Sequence, residues 1–162
     1  MPVLPPGMSP TVAAYSHNGP GGVLRTEVAG GAARYAQQYG RGTQQFNVTL
    51  ILDPLKFSVW IAFFHHIILK GARTFDMPLD SGFGTELHAV NIVPGTYSAT
   101  RTGGTAMVVA FVVEAESKAY DMSAADAAAL IEFYSNYGSD TQPLLDRLAQ
   151  FANSDTNVLD FQ

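Results

Sequence analysis

Apolar and polar residues alternate with a period of two along much of the chain up to residue 116, and this alternation predicts β-strands. The clearest run spans residues 45–52, where four apolar side chains fall on one face: Phe46, Val48, Leu50 and Leu52. Shorter alternating runs bounded by glycine or proline predict further strands at residues 23–28, 33–39, 72–77, 86–93 and 97–101, and the first two read as a hairpin. Residues 106–113 are apolar at every position, which predicts a central strand covered on both faces.

A short helix is predicted at about residues 54–70, between two of these strands. Asp53 is a suitable N-cap, Pro54 suits the first helical position, and Gly71 is a suitable left-handed stop. One apolar stripe contains Phe57, Trp60, Ile61, Phe64 and Ile68, and a second contains Val59, Phe63 and Ile67. A helix on one sheet needs only one such face. We therefore expect burial against its own sheet on one side and, as a hypothesis, against a neighbouring subunit on the other.

The subunit contact predicted from this helix is made by five of its residues: Phe57, Trp60, Phe63, Phe64 and Ile67. A membrane span is the rival explanation for so apolar a segment. The run from Leu55 to Leu69 is shorter than the roughly 18 to 20 apolar residues that a span needs. It also contains Lys56 and two histidines, so no membrane span is predicted.

Three regions differ in composition and periodicity. Residues 1–22 hold five prolines and four glycines and predict an extended arm, which either hangs free or lies on a neighbouring subunit. Residues 23–116 form the β domain. Residues 117–162 change to a helical period, with Ser123 as an N-cap, Pro143 at the start of a second helix, and a polar tail from residue 153. The predicted fold is therefore mainly β with helices, an α+β domain followed by a C-terminal helical hairpin.

Composition narrows the function classes. The net charge of −5 argues against a nucleic-acid-binding surface, which normally carries a basic stripe. The chain has no cysteine, so disulfides and zinc–thiolate sites are excluded. The four histidines lack the spacing of metal ligands, and His65 and His66 point about 100° apart on one helix.

Catalytic signatures are also missing from the sequence. Asp76, Asp80 and Glu86 flank one loop, and the simplest interpretation is a solvated loop rather than an acid–base pair. Gly82 and Gly84 do not form a phosphate-binding pattern. We therefore predict no catalytic, cofactor-binding or metal-binding residue, no cofactor, and no enzymatic activity.

The order of elements is the most specific feature of the chain. A GGAARYAQQYG hairpin leads to a QQFNVTLIL strand, a tryptophan-containing helix, the segment KGARTFDMPL, and finally AMVVAFVVEAE. This order, with Trp60, Gly71, Phe75 and Pro78 at matching places, resembles the minor tail and distal tail protein group of long-tailed bacteriophages over roughly residues 23–116. The resemblance implies a tail-tube-like antiparallel β-barrel or sandwich with one flanking helix.

The same resemblance implies a structural virion component. Such subunits form a ring, typically a hexamer, that joins the tail tube to the tail tip or baseplate hub and lets DNA pass without specific binding. The expected partners are further copies of the chain, the tail tube protein and the tip or hub protein. The expected location is the tail of the virion, assembled in the host cytoplasm. An acidic chain would suit a lumen that must not grip DNA.

Alternatives remain open at this stage. A tail terminator or a head–tail adaptor ring would use the same fold. A carbohydrate-binding module at the tail tip would draw on exposed aromatic side chains such as Tyr35, Tyr39 and Tyr97. A small hydrolase is the least favoured, because no nucleophile–base signature is visible.

Overall fold

The computed structural model describes residues 1–11, 15–19 and 21–150 and divides the chain into two compact units, residues 1–120 and 121–162. The first unit includes the N-terminal arm and the predicted β domain. A short 3-10 turn, Lys118–Asp121, lies at the division, four residues beyond the boundary expected from the sequence. The predicted polar tail from residue 153 lies outside the described residues.

The described part of the first unit is built from eight strands. They are β1 (Ser16–His17), β2 (Val23–Thr26), β3 (Arg34–Gln37), β4 (Thr43–Leu52), β5 (Phe75–Asp80), β6 (Thr85–Ile92), β7 (Ser98–Thr102) and β8 (Ala106–Glu116). Six of them join in one antiparallel sheet of order β1-β4-β8-β6-β5, with β7 also paired to β8. Strands β2 and β3 form a separate two-stranded hairpin, as predicted. The described strands do not close into a barrel.

Strand β8 is the centre of the sheet. It pairs with β4 along ten consecutive positions, from Thr43 opposite Glu116 to Leu52 opposite Met107. Its other edge is shared, because β7 pairs with the first half of β8 and β6 pairs near its end. Strand β6 then continues along β5, so it changes partner along its length.

The core lies on one face of this sheet. The alternation predicted for residues 45–52 is confirmed, because the even-numbered side chains of β4 from Phe46 to Leu52 are all buried. In β8 the odd-numbered side chains from Val109 to Ala115 are buried in the same core. The alternate side chains Val108, Ala110 and Val112 are only half-buried. The prediction that this strand is covered on both faces was therefore wrong, since the helix lies on one face and nothing among the described residues seals the other.

Helix α1 (Pro54–Ala62) begins as predicted. The Asp53 carboxylate accepts a hydrogen bond from the Lys56 backbone N–H at 2.8 Å, and Pro54 occupies the first turn. The predicted continuous helix to residue 70 is not observed. The chain instead passes through a π-helical turn, Phe63–Ile67, and a 3-10 turn, Leu69–Gly71.

Gly71 ends this helical segment, at the residue predicted. Its φ of +94° lies in the left-handed region, and a Cβ built on it would approach the Ile92 Cβ to 2.8 Å. A side chain at this position would therefore be strained by its backbone and would collide with β6. Close approach of the helix end to the sheet requires glycine here.

The N-terminal arm pairs with the edges of its own sheet. Beside β5, the Leu4 N–H donates to the Asp76 carbonyl at 2.9 Å, and beside β4 the Thr11 N–H donates to the Thr49 carbonyl at 2.8 Å. Leu4 and Met8 are buried in the core. The described part of the arm is therefore attached to its own unit, and the free arm that was one of the two predicted alternatives is not observed. Backbone pairing and two apolar anchors bind it to the unit it belongs to.

The second unit contains two helices in its described part, α2 (Ala124–Tyr137) and α3 (Thr141–Gln150), joined by a 3-10 turn. The Ser123 hydroxyl caps α2 by accepting from the Asp126 N–H at 3.1 Å, as predicted. Helix α3 begins two residues before Pro143. No side chain of α2 is fully buried, and its large apolar residues Leu130, Ile131, Tyr134 and Tyr137 are exposed.

We predict that Gly71→Ala lowers the free energy of unfolding by more than about 1 kcal/mol, because alanine is unfavourable at positive φ and here also meets Ile92. The matched control is Gly95→Ala, since Gly95 has a φ of +81° but no atom within 4 Å of its Cβ position. Urea unfolding of the two variants measures the difference. Equal destabilisation would show that the contact with Ile92 contributes nothing.

Candidate subunit interface

The inner side of α1 is fixed by an aromatic cluster. The Trp60 ring has no solvent-accessible surface and stacks on Phe111 of β8, with the ring centroids 5.3 Å apart and the planes within 10°. Its indole N–H donates to the Tyr97 hydroxyl at 3.3 Å, and Tyr97 in turn stacks on Phe64 at 4.6 Å. Stacked aromatics of this kind contribute about 0.5–1.5 kcal/mol beyond the area they bury. The rotation of the helix about its axis is set by this cluster.

The five residues predicted at a subunit contact divide between the two sides of the helical segment. Trp60, Phe63 and Phe64 are buried in the chain's own core, and Phe57 is half-buried. Only Ile67 presents a large part of its side chain to solvent. The interface expectation has to be corrected for the three buried rings, because packing within the subunit already removes their surface from water.

The outer side of the segment carries a different apolar set, the outer stripe, made of Leu55, Val59, Ile67 and Leu69. Leu55 is 76% exposed and Leu69 is 57% exposed. A stripe of four large apolar side chains on one helical segment is more than the scattered exposed leucines of an ordinary surface. The outer stripe is therefore a candidate surface for contact with another molecule.

Backbone strain helps to form the end of the outer stripe. Leu69 and Lys70 have φ values of +51° and +60°, a left-handed conformation that costs an L-residue roughly 1–2 kcal/mol. Strain of this kind is held only where the surrounding structure enforces it, and it is concentrated at functional positions. The π-helical turn just before it is also typical of functional segments.

Charge is distributed unequally between the two units. The first unit contains eight lysines and arginines against seven aspartates and glutamates, a net charge of +1. The second unit contains one arginine against seven acidic residues, a net charge of −6. The acidic character of the chain, which suggested a lumen that repels DNA, therefore belongs to the helical unit and not to the β unit.

The open face of the sheet is a second uncovered surface. Its residues lie opposite each other in register, Ile51 with Val108 and Thr49 with Ala110. None of these four is charged, and Ile51 is exposed while the other three are half-buried. The β2–β3 hairpin is exposed along both strands, and an isolated two-stranded hairpin is at best marginally stable in water.

A pair formed by the buried His88 and the half-buried Ser81 was not predicted. His88 faces the core, where its Nδ1 lies 2.9 Å from the Glu86 carbonyl and its Nε2 lies 3.0 Å from the Ser81 hydroxyl. Because a carbonyl only accepts, Nδ1 carries the proton and Nε2 accepts from Ser81. The even-numbered alternation of β6, which buries His88 with Val90 and Ile92, is the sequence signal that could have revealed it.

This pair fixes the loop after β5 to the end of β8. The Ser81 hydroxyl also accepts from the Lys118 N–H at 3.1 Å, and the neighbouring Gly82 N–H is bound to the Asp80 carboxylate at 2.8 Å. Free backbone donors for an oxyanion are therefore not offered by Gly82. We interpret the arrangement as a structural link rather than as a nucleophile and base.

The remaining sequence candidates do not converge. Asp76 pairs through its backbone with the arm, whereas Asp80 and Glu86 are exposed on neighbouring strands beside the β5–β6 turn. His65 and His66 are exposed on the π-helical turn. Within the described ranges, no group of three or more acidic or histidine side chains is placed to hold a metal ion.

A cavity of about 360 Å³ lies between the arm and β5. It is lined by Ser9, Pro10, Thr11, Tyr15, Pro78, Leu79, Asp80 and Thr85. The Tyr15 hydroxyl donates to the Asp80 carbonyl at 2.7 Å and accepts from the Asp80 N–H at 2.8 Å. Partial burial raises the pKa of Tyr15, because the phenolate would lose its hydration.

Comparison with protein-family models, with curated proteins and with solved structures finds no match for this chain. Over the part of the chain that the structure covers, no helix is both long enough and apolar enough to cross a membrane.

We predict that Trp60→Ala lowers the free energy of unfolding of the single chain by about 3–5 kcal/mol, as for other buried aromatic truncations. The control is Leu55→Ala, which should change it by no more than about 0.5 kcal/mol because Leu55 lies on the exposed side. Urea unfolding below the concentration of any self-association measures both. A small effect of Trp60→Ala would contradict the central role of the stacked cluster.

We predict that alkaline pH weakens the attachment of the arm. The folded state raises the Tyr15 pKa, so its contribution is complete below the ordinary tyrosine value of about 10 and is lost as pH rises through the folded value. Ionised Tyr15 cannot donate to the Asp80 carbonyl.

The stability difference between the unmodified chain and Tyr15→Phe should therefore shrink above about pH 10. Melting temperatures at a series of pH values test this, and the subtraction removes the titration of the six other tyrosines. A difference that stays constant to the highest pH would rule out Tyr15 as the titrating group.

Proposed function

We propose that this chain is a structural subunit of a bacteriophage tail, which assembles with its own copies into a ring at the end of the tail tube. In this role it joins the tube to the tail tip or baseplate hub and lets DNA pass. The element order resembling minor and distal tail proteins supports the phage assignment. The tail-tube-like form of the sheet is part of the proposal, and it is compatible with an antiparallel sheet flanked by one helical segment.

The observation that carries self-assembly is the uncovered outer stripe. The four side chains of the stripe are 42–76% exposed, and a protein neighbour that covers them would contribute about 25 cal/mol for each Å² of apolar surface removed from water. The stripe lies on the element that also organises the core. Contact at this position would therefore be transmitted directly to a rigid part of the subunit.

The open sheet face supports a lumen-lining or stacking role. Its central residues are aliphatic or hydroxyl-bearing, and the unit to which it belongs is almost neutral. A nearly neutral wall gives DNA little to bind, since phosphate contacts need clustered lysine or arginine. Repulsion by an acidic wall is no longer needed to explain passage, because the acidic residues are concentrated in the other unit.

The carbohydrate-binding alternative loses one of its three aromatic residues. Tyr97 is stacked on Phe64 and bound to Trp60, so its ring is not offered to a sugar. Tyr35 and Tyr39 are exposed, although the Tyr35 hydroxyl is already engaged by Arg25. The ring-forming role is the better supported of the two.

The test is the mass of the purified full chain in solution, measured by light scattering and followed by negative-stain imaging. We expect closed rings of about six subunits. A single-chain mass at every concentration examined, with no rings in the images, would contradict the proposal. Rings that also bind a sugar surface would favour a place at the tail tip.

A further inference from the structure

Each unit exposes an apolar surface. The charged residues near the two surfaces have opposite signs, positive on the first unit and negative on the second. We propose that the helical unit of one copy docks on the outer stripe of a second copy. The inference rests on the proposed ring assembly and identifies the contact that builds it. The occupant of the outer stripe is thus another molecule of the same chain.

The docking surface of the helical unit is helix α2 with the adjoining part of α3. Ile131 and Tyr134 are 67% and 63% exposed, and Leu130, Tyr137 and Leu148 are exposed beside them in sequence or on the next helix. The helices therefore present apolar side chains that their own packing does not cover. Such a face is typical of helices that bind a partner.

The unit that carries this apolar face is rich in acidic side chains. The described part of the unit contains five acidic residues and one arginine: Asp121, Asp126, Glu132, Asp140, Asp146 and Arg147. Glu132 directly follows Ile131 in the helix, and it forms no ion pair within the described residues. The apolar face therefore belongs to a strongly acidic unit, which favours a partner with the opposite charge.

The outer stripe has the complementary character. The helical segment and its exit, residues 53–73, contain Lys56, Lys70 and Arg73 against the single acidic residue Asp53. Lys56 lies near Asp53, while Lys70 and Arg73, both exposed, form no ion pair in the described portion of the chain. Lys70 directly follows Leu69, so positive charge adjoins the exposed apolar side chains.

Opposite charge favours contact between the two different surfaces over contact of either with itself. Two acidic helical units facing each other would repel, and so would two basic stripes. A contact between unlike surfaces leaves one free surface of each kind on every pair of chains. Further copies can then add head to tail, and such an arrangement closes into a ring when the rotation between neighbours permits.

The test uses two double variants of the full chain. The stripe variant, Leu55→Ser with Val59→Ser, removes one half of the contact, and the helix variant, Ile131→Ser with Tyr134→Ser, removes the other. All four side chains are exposed, so the variants should fold. Emission from Trp60, the single tryptophan, reports whether the core is intact.

We expect each variant alone to have the mass of one chain, 17.4 kDa, in light scattering under conditions where the unmodified chain forms rings. An equimolar mixture should form pairs and nothing larger. Each variant retains the surface that the other lacks, so one contact can form between them. The two surfaces left over in the pair are the substituted ones, and no further chain can add. Matched controls are Ile51→Ser on the open sheet face and Ala129→Ser on α2, both of which should keep the ring mass.

The outcomes separate this inference from the proposed function. Rings of unchanged mass in either variant would overturn the docking proposal and leave ring assembly in place through another surface. Variants that remain single chains when mixed would overturn it as well, because the two surfaces would then not bind each other. A single-chain mass for the unmodified protein would remove both proposals.

The dependence of ring mass on salt concentration is a second, independent test of the charge pairing. Raising the ionic strength from about 0.1 M to 1 M shortens the screening length from about 10 Å to 3 Å. Rings held by the charged contact should dissociate partly into single chains as salt rises. Rings that become more stable with salt would indicate a purely apolar contact and would contradict the charge pairing.

Discussion

The stacking of Trp60 on Phe111 is the interaction on which the rest of the first unit depends. It joins the helical segment of residues 54–71 to the central strand β8, and the indole N–H extends the contact to Tyr97. With the ring fixed, one side of α1 is committed to the core. The other side is then exposed by geometry, so the apolar outer stripe is a direct consequence of how the core is packed.

The two units of the chain differ strongly in net charge. A single net value suggests a uniformly acidic protein, but the β unit is nearly neutral and the helical unit is strongly acidic. These are two different kinds of surface connected by one short turn. The β unit presents the apolar outer stripe, whereas the helical unit presents exposed apolar side chains in an acidic segment.

Local features of the fold could be predicted from the sequence, because they depend on neighbouring residues. The Asp53 cap, the Gly71 stop and the alternation of β4 each follow from a rule that operates within a few positions. The predicted end of the helix was less accurate, since its π-helical turn depends on how the aromatic rings fit the sheet. The choice of interface residues failed for Trp60, Phe63 and Phe64 for the same reason, because the sequence does not determine the rotation of a helix that is apolar on most sides.

Contacts between distant residues were beyond such rules. The uncovered face of β8 reflects the absence of a second layer among the described residues, which no property of its own apolar sequence can indicate. His88 was considered only as a possible ligand, although its position in the alternation of β6 already placed it inward. The arm was left with two alternatives because pairing with both sheet edges depends on strands more than 30 residues away.

That pairing of the arm has a consequence for the order of folding. Leu4 bonds to Asp76 and Thr11 bonds to Thr49, so the residues synthesised early find their partners only after much of the unit has left the ribosome. Contacts of such long sequence separation form late and slow the search for the native state. Until then both edges of the sheet carry unpaired backbone groups, which are open to wrong partners. Docking of the arm, with Leu4 and Met8 entering the core, therefore closes these two edges late in folding.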